Sequence, residues 1–206
     1  MLLKYSGENK FIFIGHKKCA STSIVNSNIA EIADIKLRDP LIGRHMTIEE
    51  VYETFNFIFE KQNFEFNKFF KFAIIRDPID WALSKYNFRS GRPSWKGMTF
   101  TEFFRSSPHL AKPQSDVLIS TKYKEVRVDY LARYHQLTED LSRIKNILGL
   151  ETLSIPKLNA SVKKVYPHDL EESLKEEIKE RFYCDYELLE NLESFNARGL
   201  QLFQDN

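Results

Sequence analysis

Glycine and proline are scarce, seven of each in 206 residues, and cysteine is scarcer, at two. Such a composition excludes a collagen-like or low-complexity chain. Cys19 and Cys184 make neither a disulfide framework nor a metal-ligand cluster. An excess of one charge is also missing: 30 basic residues face 29 acidic ones, a net charge of +1. That balance argues against a general nucleic-acid binder and leaves room for a local basic site. No stretch approaches about 18 consecutive apolar residues, so no ordinary transmembrane span is expected. Nor does a basic segment followed by a long apolar one mark a signal peptide. The five histidines show no metal-ligand spacing, and no metal is expected. The expectation is one cytoplasmic domain over residues 1–206, with reduced thiols.

What is present begins with Phe11 to Ile14, an apolar run stopped by Gly15 and read as a short buried strand. Lys17 and Lys18 follow. Ser21-Thr22-Ser23 then stands where a helix from Thr22 to Ile32 would start. A strand, a cationic loop and a hydroxyl-rich helix start together favour a bound anion. An ordinary strand–turn–helix with solvated lysines has the same outline. The ATP/GTP loop, G-x-x-x-x-G-K-[ST], is absent, because here the lysine comes first and the hydroxyls three to five residues later.

Further along, Thr47 and Glu50 form a capping box for a helix carrying Ile48, Val51, Tyr52, Phe55, Ile58 and Phe59. The phenylalanine-rich stretch from Phe55 to Phe72 reads as a helix face and a strand entering one core, in preference to a lipid or partner surface. Phe69 to Ile75 is a second buried strand, ended by Arg76-Asp77-Pro78, with a helix from Ile79 to about Arg89. Residues 90–125 are irregular around a short helix at 99–105. Val126, Val128, Tyr130 and Ala132 alternate on one face of a strand. Helices are expected from Leu137 to Leu148, from about Asp169, and over 185–192. Buried strands followed by helices predict an α/β fold with a mainly parallel central sheet flanked by helices.

Arg76 leaves the carboxyl end of a strand, where open α/β sheets bind ligands, and Ser84 lies about two helical turns beyond Pro78. A planar arginine fork suits a phosphate. Either residue alone favours a local structural contact, with Arg76 paired to Asp77 and Ser84 bonded to its own backbone. Together they spell R-D-P-x-x-x-x-x-S-x-Y. This resembles the 3′-phosphate motif of sulfotransferases, and the order K-x-x-[ST]-[ST]-S resembles their 5′-phosphosulfate loop. The two stand in the family's order and separation. Looser likenesses, closest to its carbohydrate-type branch, extend over about residues 10–190: Gly43-Arg44-His45-Met46-Thr47, Lys112-Pro113-Gln114, Val128-Asp129-Tyr130, Ile155 to Ser161 and Asp185-Tyr186-Glu187-Leu188.

The resemblance implies a P-loop-like three-layer fold and the donor 3′-phosphoadenosine 5′-phosphosulfate (PAPS; product PAP), with no metal. Lys17, Lys18, Cys19, Ala20, Ser21, Thr22 and Ser23 would cradle the 5′-phosphate, and Arg76 and Ser84 the 3′-phosphate. Lys18 would neutralise the leaving group and His45 would act as general base, with His16 a weaker candidate. The acceptor would be a glycan or another small molecule, touched by His45, Trp95 and Gln114, with Arg92 and Lys96 nearby. Asn159-Ala160-Ser161 looks like part of a late loop closing over the nucleotide, with charge from Lys163 and Lys164. Three positions depart from the family: Lys17 replaces a usual proline, Trp81 a common arginine, and His135 a frequent acidic residue. The rival readings are a non-catalytic PAPS/PAP-binding protein, a lipid or partner adaptor built on the Phe-rich stretch, and a nucleotide kinase of related architecture, which would need the ATP loop.

Overall fold

The structure, a computed structural model, describes residues 1–39, 41, 43–156 and 164–205. The chain opens with an antiparallel pair, β1 (Leu2–Lys4) and β2 (Phe11–Ile14). Two single turns follow, α1 (Ser21–Ile24) and α2 (Asn28–Glu31), where one helix was expected. Asn26 Nδ2 donates to the Thr22 carbonyl and Ser27 Oγ to the Ile24 carbonyl, both at 2.7 Å, and these local bonds end the first turn. The edge strand β3 (Ile35–Lys36) pairs with β1.

Next, α3 (Ile48–Thr54) starts at the anticipated box: Glu50 N–H donates to Thr47 Oγ1 at 3.1 Å and Thr47 N–H to Glu50 at 2.7 Å. One further turn, α4 (Asn56–Phe59), precedes β4 (Phe70–Ile75). Asp77 caps α5 (Pro78–Arg89) by accepting from Asp80 N–H at 2.9 Å, with proline at the first helical position. A second box, Thr99 with Glu102, starts α6 (Phe100–Ser106). The rest comprises α7 (Ser115–Leu118), β5 (Tyr130–Arg133), α8 (Leu137–Ile147), α9 (Glu172–Arg181), α10 (Tyr183–Glu190) and α11 (Leu192–Gln204).

The sheet order is β3-β1-β2-β4-β5. Only β1 runs against its neighbours, whereas β2, β4 and β5 are parallel. Phe13 pairs with Phe72, and Phe72 with Tyr130, so their side chains share one face. That face packs on Ile24, Trp81, Phe103, Leu141 and Ile178 from α1, α5, α6, α8 and α9. Ile12, Ile14, Ala73, Ile75 and Leu131 face the other way, onto Ile48 and Val51 of α3 and Leu192 of α11. Helices therefore cover both faces of a mostly parallel sheet. Among the described residues, no helix is long and apolar enough to cross a membrane.

Val126 and Val128 do not continue the face of Tyr130 and Ala132, as their alternation suggested. They belong to the opposite core with Leu131. Before Asp129 the chain pairs with residues 118–120, and Asp129 then joins β4, its N–H donating to the Lys71 carbonyl at 2.7 Å. The change of partner shifts the side-chain frame. Helix α11, which the sequence reading did not anticipate, covers this junction. Asn196 exchanges bonds with both backbone groups of Leu131, and a Cβ on Gly199 would lie 2.0 Å from the Asp129 carbonyl oxygen.

Candidate functional site

Strands β2, β4 and β5 are parallel, so the loop after Ile14, the residues after Ile75 and Tyr134 all leave the same end of the sheet. In the first loop Lys18 (φ 67°) and Ala20 (φ 51°) hold left-handed backbone, at a cost of about 1–2 kcal/mol each. Side chains from the second motif hold that backbone. Trp81 Nε1 donates to the Lys17 carbonyl at 3.0 Å, and Arg76 Nη1 to the Lys18 carbonyl at 3.2 Å.

Arg76 is buried, and its guanidinium lies 4.1 Å from the centre of the Tyr134 ring. Two of its donors also reach Asp80 Oδ2, each at 3.0 Å. Asp80, Ser84 and Phe88 recur at helical spacing on one face of α5. Half-buried Ser84 therefore stands between the carboxylate that orients Arg76 and the ring that carries Lys18, whose Nζ is 4.4 Å from the Phe88 centroid. Arg92 and Arg89 lie 4.7 and 5.9 Å from the same ring, which is 46% exposed. Burial, and then Arg76 and Arg89, lower the Lys18 pKa.

Of the three loop hydroxyl residues, Ser21 and Ser23 are buried and Thr22 is half-buried. Thr22 Oγ1 accepts from Arg44 Nη2. His45, next to Arg44, places Nδ1 2.6 Å from the Gly15 carbonyl, and burial above all pushes its pKa down to about 4. A carbonyl only accepts, so neutral His45 carries its proton on Nδ1 and its basic lone pair on Nε2.

Gln114 fills the joint between the two motifs. Its Nε2 donates to the Arg76 carbonyl at 2.7 Å, and its Oε1 accepts from Arg76 N–H at 3.2 Å and from Cys19 Sγ at 3.4 Å. Its own N–H donates to Asp185 at 2.8 Å. A cavity of about 760 Å³ lies elsewhere, against Lys71 and Asp129, and none of these loop residues lines it.

A sulfotransferase family model matches residues 2–190, a span that contains both motifs. The chain belongs to the sulfotransferase family. No curated protein and no solved structure matches it.

The sulfotransferase motifs are thus in physical contact, and their donor set suits an anion. Lys17 is exposed, Lys18 is half-buried, and the buried Nε of Arg44 has no partner among the described residues. Residues of this kind fit a nucleotide bearing phosphate at both ends. The single turn of α1 supplies little of the helix dipole first expected there, so cations and hydroxyls carry the site.

Two expected contacts come out differently. Gln114 is fully buried, with its amide spent on Arg76 and Cys19, so its surroundings are those of a brace between motifs and not of an acceptor contact. The Cys19 side chain is also fully buried, and burial pushes its thiol up to about 12, so only its backbone is left to meet a ligand. Trp95 is half-buried, edge-on to Phe103 at 5.2 Å. His135 and His168 are exposed, and His16 is buried against Trp81 with Nε2 unpartnered among the described residues. Residues 157–163, including the late-loop residues Asn159, Ser161 and Lys163, lie outside the described residues.

Lys85 was not found by sequence reasoning. Its ammonium is buried 3.3 Å from the Trp81 ring centre and donates to the His109 carbonyl at 2.6 Å. Burial, joined by Arg89 and Lys17, brings its pKa down to about 7. The departure at Trp81 was the available signal: an indole in place of arginine, with a cation four residues on, where helix geometry stacks it on the ring.

Proposed function

We propose that this chain is a PAPS-dependent sulfotransferase. It moves the sulfuryl group to a hydroxyl or amine of a glycan or other small acceptor by in-line displacement, on a single P-loop-like three-layer domain. The observation that carries this reading is the 3.2 Å bond from Arg76 Nη1 to the Lys18 carbonyl, which joins motifs 58 residues apart. A cofactor with phosphate at both ends requires such a junction.

When bound, PAPS supplies a sulfuryl group activated by a phosphate leaving group. Arg76 and Ser84 hold the 3′-phosphate, and Ser21, Thr22, Ser23 and the loop backbone hold the 5′-phosphate. Lys18 places positive charge where the leaving oxygen gains negative charge. His45 takes the acceptor's proton at Nε2 while its Nδ1–H stays on the Gly15 carbonyl. A pKa of about 4 keeps it neutral at working pH, and the nearby Arg44 and Lys17 promote release of the captured proton. The exposed cations and Trp95 beyond α5 suit the acceptor side.

The test uses ³⁵S-labelled PAPS with a panel of neutral and carboxylated oligosaccharides and simple phenols. Label should reach an acceptor. Lys18→Ala and His45→Gln should each slow transfer about 100-fold or more, with PAP affinity kept in His45→Gln and weakened in Lys18→Ala. Unchanged transfer in both variants overturns the assigned roles. Tight PAP binding without transfer to any acceptor favours the non-catalytic reading.

A further inference from the structure

The turn carrying Arg44 is built onto the head of the loop. Gly43 has φ 113°, and the Arg44 N–H donates to the Asp39 carbonyl at 3.0 Å. The Arg44 carbonyl oxygen lies 3.1 Å from where a Cβ on Gly15 would stand, so the turn rests directly on Gly15. His45 bonds the Gly15 carbonyl from the same turn. Residues 44 and 45 therefore grip the loop through Gly15 and Thr22, whereas Arg76 and Trp81 of the second motif grip it through the carbonyls of Lys18 and Lys17.

The Arg44 guanidinium is unbalanced where it sits. Its Nη2 donates to Thr22 Oγ1, and among the described residues its buried Nε has no partner and no carboxylate pairs with it. Arginine stays protonated, and a partly buried guanidinium without a counter-charge is costly. Arg76, the other arginine of the site, has Asp80. Thr22 Oγ1 accepts from Arg44, so its own O–H is left to donate. The result is a charged donor and a polarised hydroxyl side by side at the loop, with no carboxylate among the described residues to answer them.

We infer that Arg44 is a second phosphate-binding cation of the donor site, serving the 5′ side as Arg76 serves the 3′ side. This rests on reading the loop as the nucleotide's 5′ cradle. Arg44 also fixes the direction of the Thr22 hydroxyl, so it acts both by contact and through Thr22.

The experiment is calorimetric titration of the whole chain and of Arg44→Gln with three probes: 3′,5′-adenosine bisphosphate, 5′-AMP and 3′-AMP. The expected result is a loss of about tenfold or more for the bisphosphate and 5′-AMP, with 3′-AMP unchanged. Arg44→Lys, which keeps the charge but not the fork, should recover part of the loss. Equal affinity of Arg44→Gln and wild type for all three probes overturns the inference. So does a parallel loss for all three accompanied by a lower melting temperature, which is the mark of a structural role. If wild type binds none of the three, the sulfotransferase reading itself fails. That outcome is distinct from a wild type that binds and a variant that binds equally well.

Discussion

Arg76 and Asp80 are joined through a single oxygen: Asp80 Oδ2 accepts from both Nε and Nη2 of the guanidinium, each at 3.0 Å. The carboxylate aims the arginine, and its negative charge opposes any phosphate brought to the same group. Asp80→Asn keeps an accepting oxygen and removes the charge. The variant should bind 3′,5′-adenosine bisphosphate about three- to tenfold more tightly, with 5′-AMP unchanged, by calorimetry. Weaker bisphosphate binding would show that Asp80 serves mainly to orient.

Lys85 gives the fold a pH signature. Its pKa is about 7 in the folded protein against 10.5 for an ordinary lysine. Between these values the unfolded chain binds the extra proton, so stability rises with pH across that window. At pH 7 and below, the cost of burying the ammonium is fully borne. Lys85→Met should therefore raise the melting temperature more at pH 6 than at pH 10, measured by thermal denaturation of both proteins. An equal shift at the two values would mean that Lys85 is not desolvated.

Gln114 satisfies Arg76 N–H, the Arg76 carbonyl and the Cys19 thiol at once. Gln114→Leu leaves all three without that partner in a site closed to water. The variant should lose about 2–4 kcal/mol in urea unfolding. A cost under about 0.5 kcal/mol would contradict the bracing role.

The parts of the fold visible in the sequence are those encoded by local, continuous signals. Strand β2 is an unbroken apolar run and β4 is an apolar run interrupted only at Lys71, with sharp stops at Gly15 and at Arg76-Asp77-Pro78, and the Thr47–Glu50 box is complete within four residues. Strands β1 and β3 have three and two residues and exist through pairing, which no short window reveals. The break between α1 and α2 depends on the side chains of Asn26 and Ser27 choosing local carbonyls. At the site, Lys18, Arg76 and Ser84 were legible as motif letters. Gln114, Lys85 and Arg44 were not legible in role: one is an amide facing backbone 38 residues away, one a lysine buried on a ring, and one a guanidinium set on a hydroxyl 22 residues earlier. Those relations arise only when the loops converge.

The junction of Arg76 with the Lys18 loop is put to trial by calorimetric titration of 3′,5′-adenosine bisphosphate beside 5′-AMP and ATP, in wild type and Arg76→Ala. Wild type should prefer the bisphosphate by about tenfold or more, and the variant should lose that preference while still binding 5′-AMP. Equal binding of bisphosphate and 5′-AMP by wild type, or no binding at all, would contradict the assignment of a two-phosphate nucleotide site.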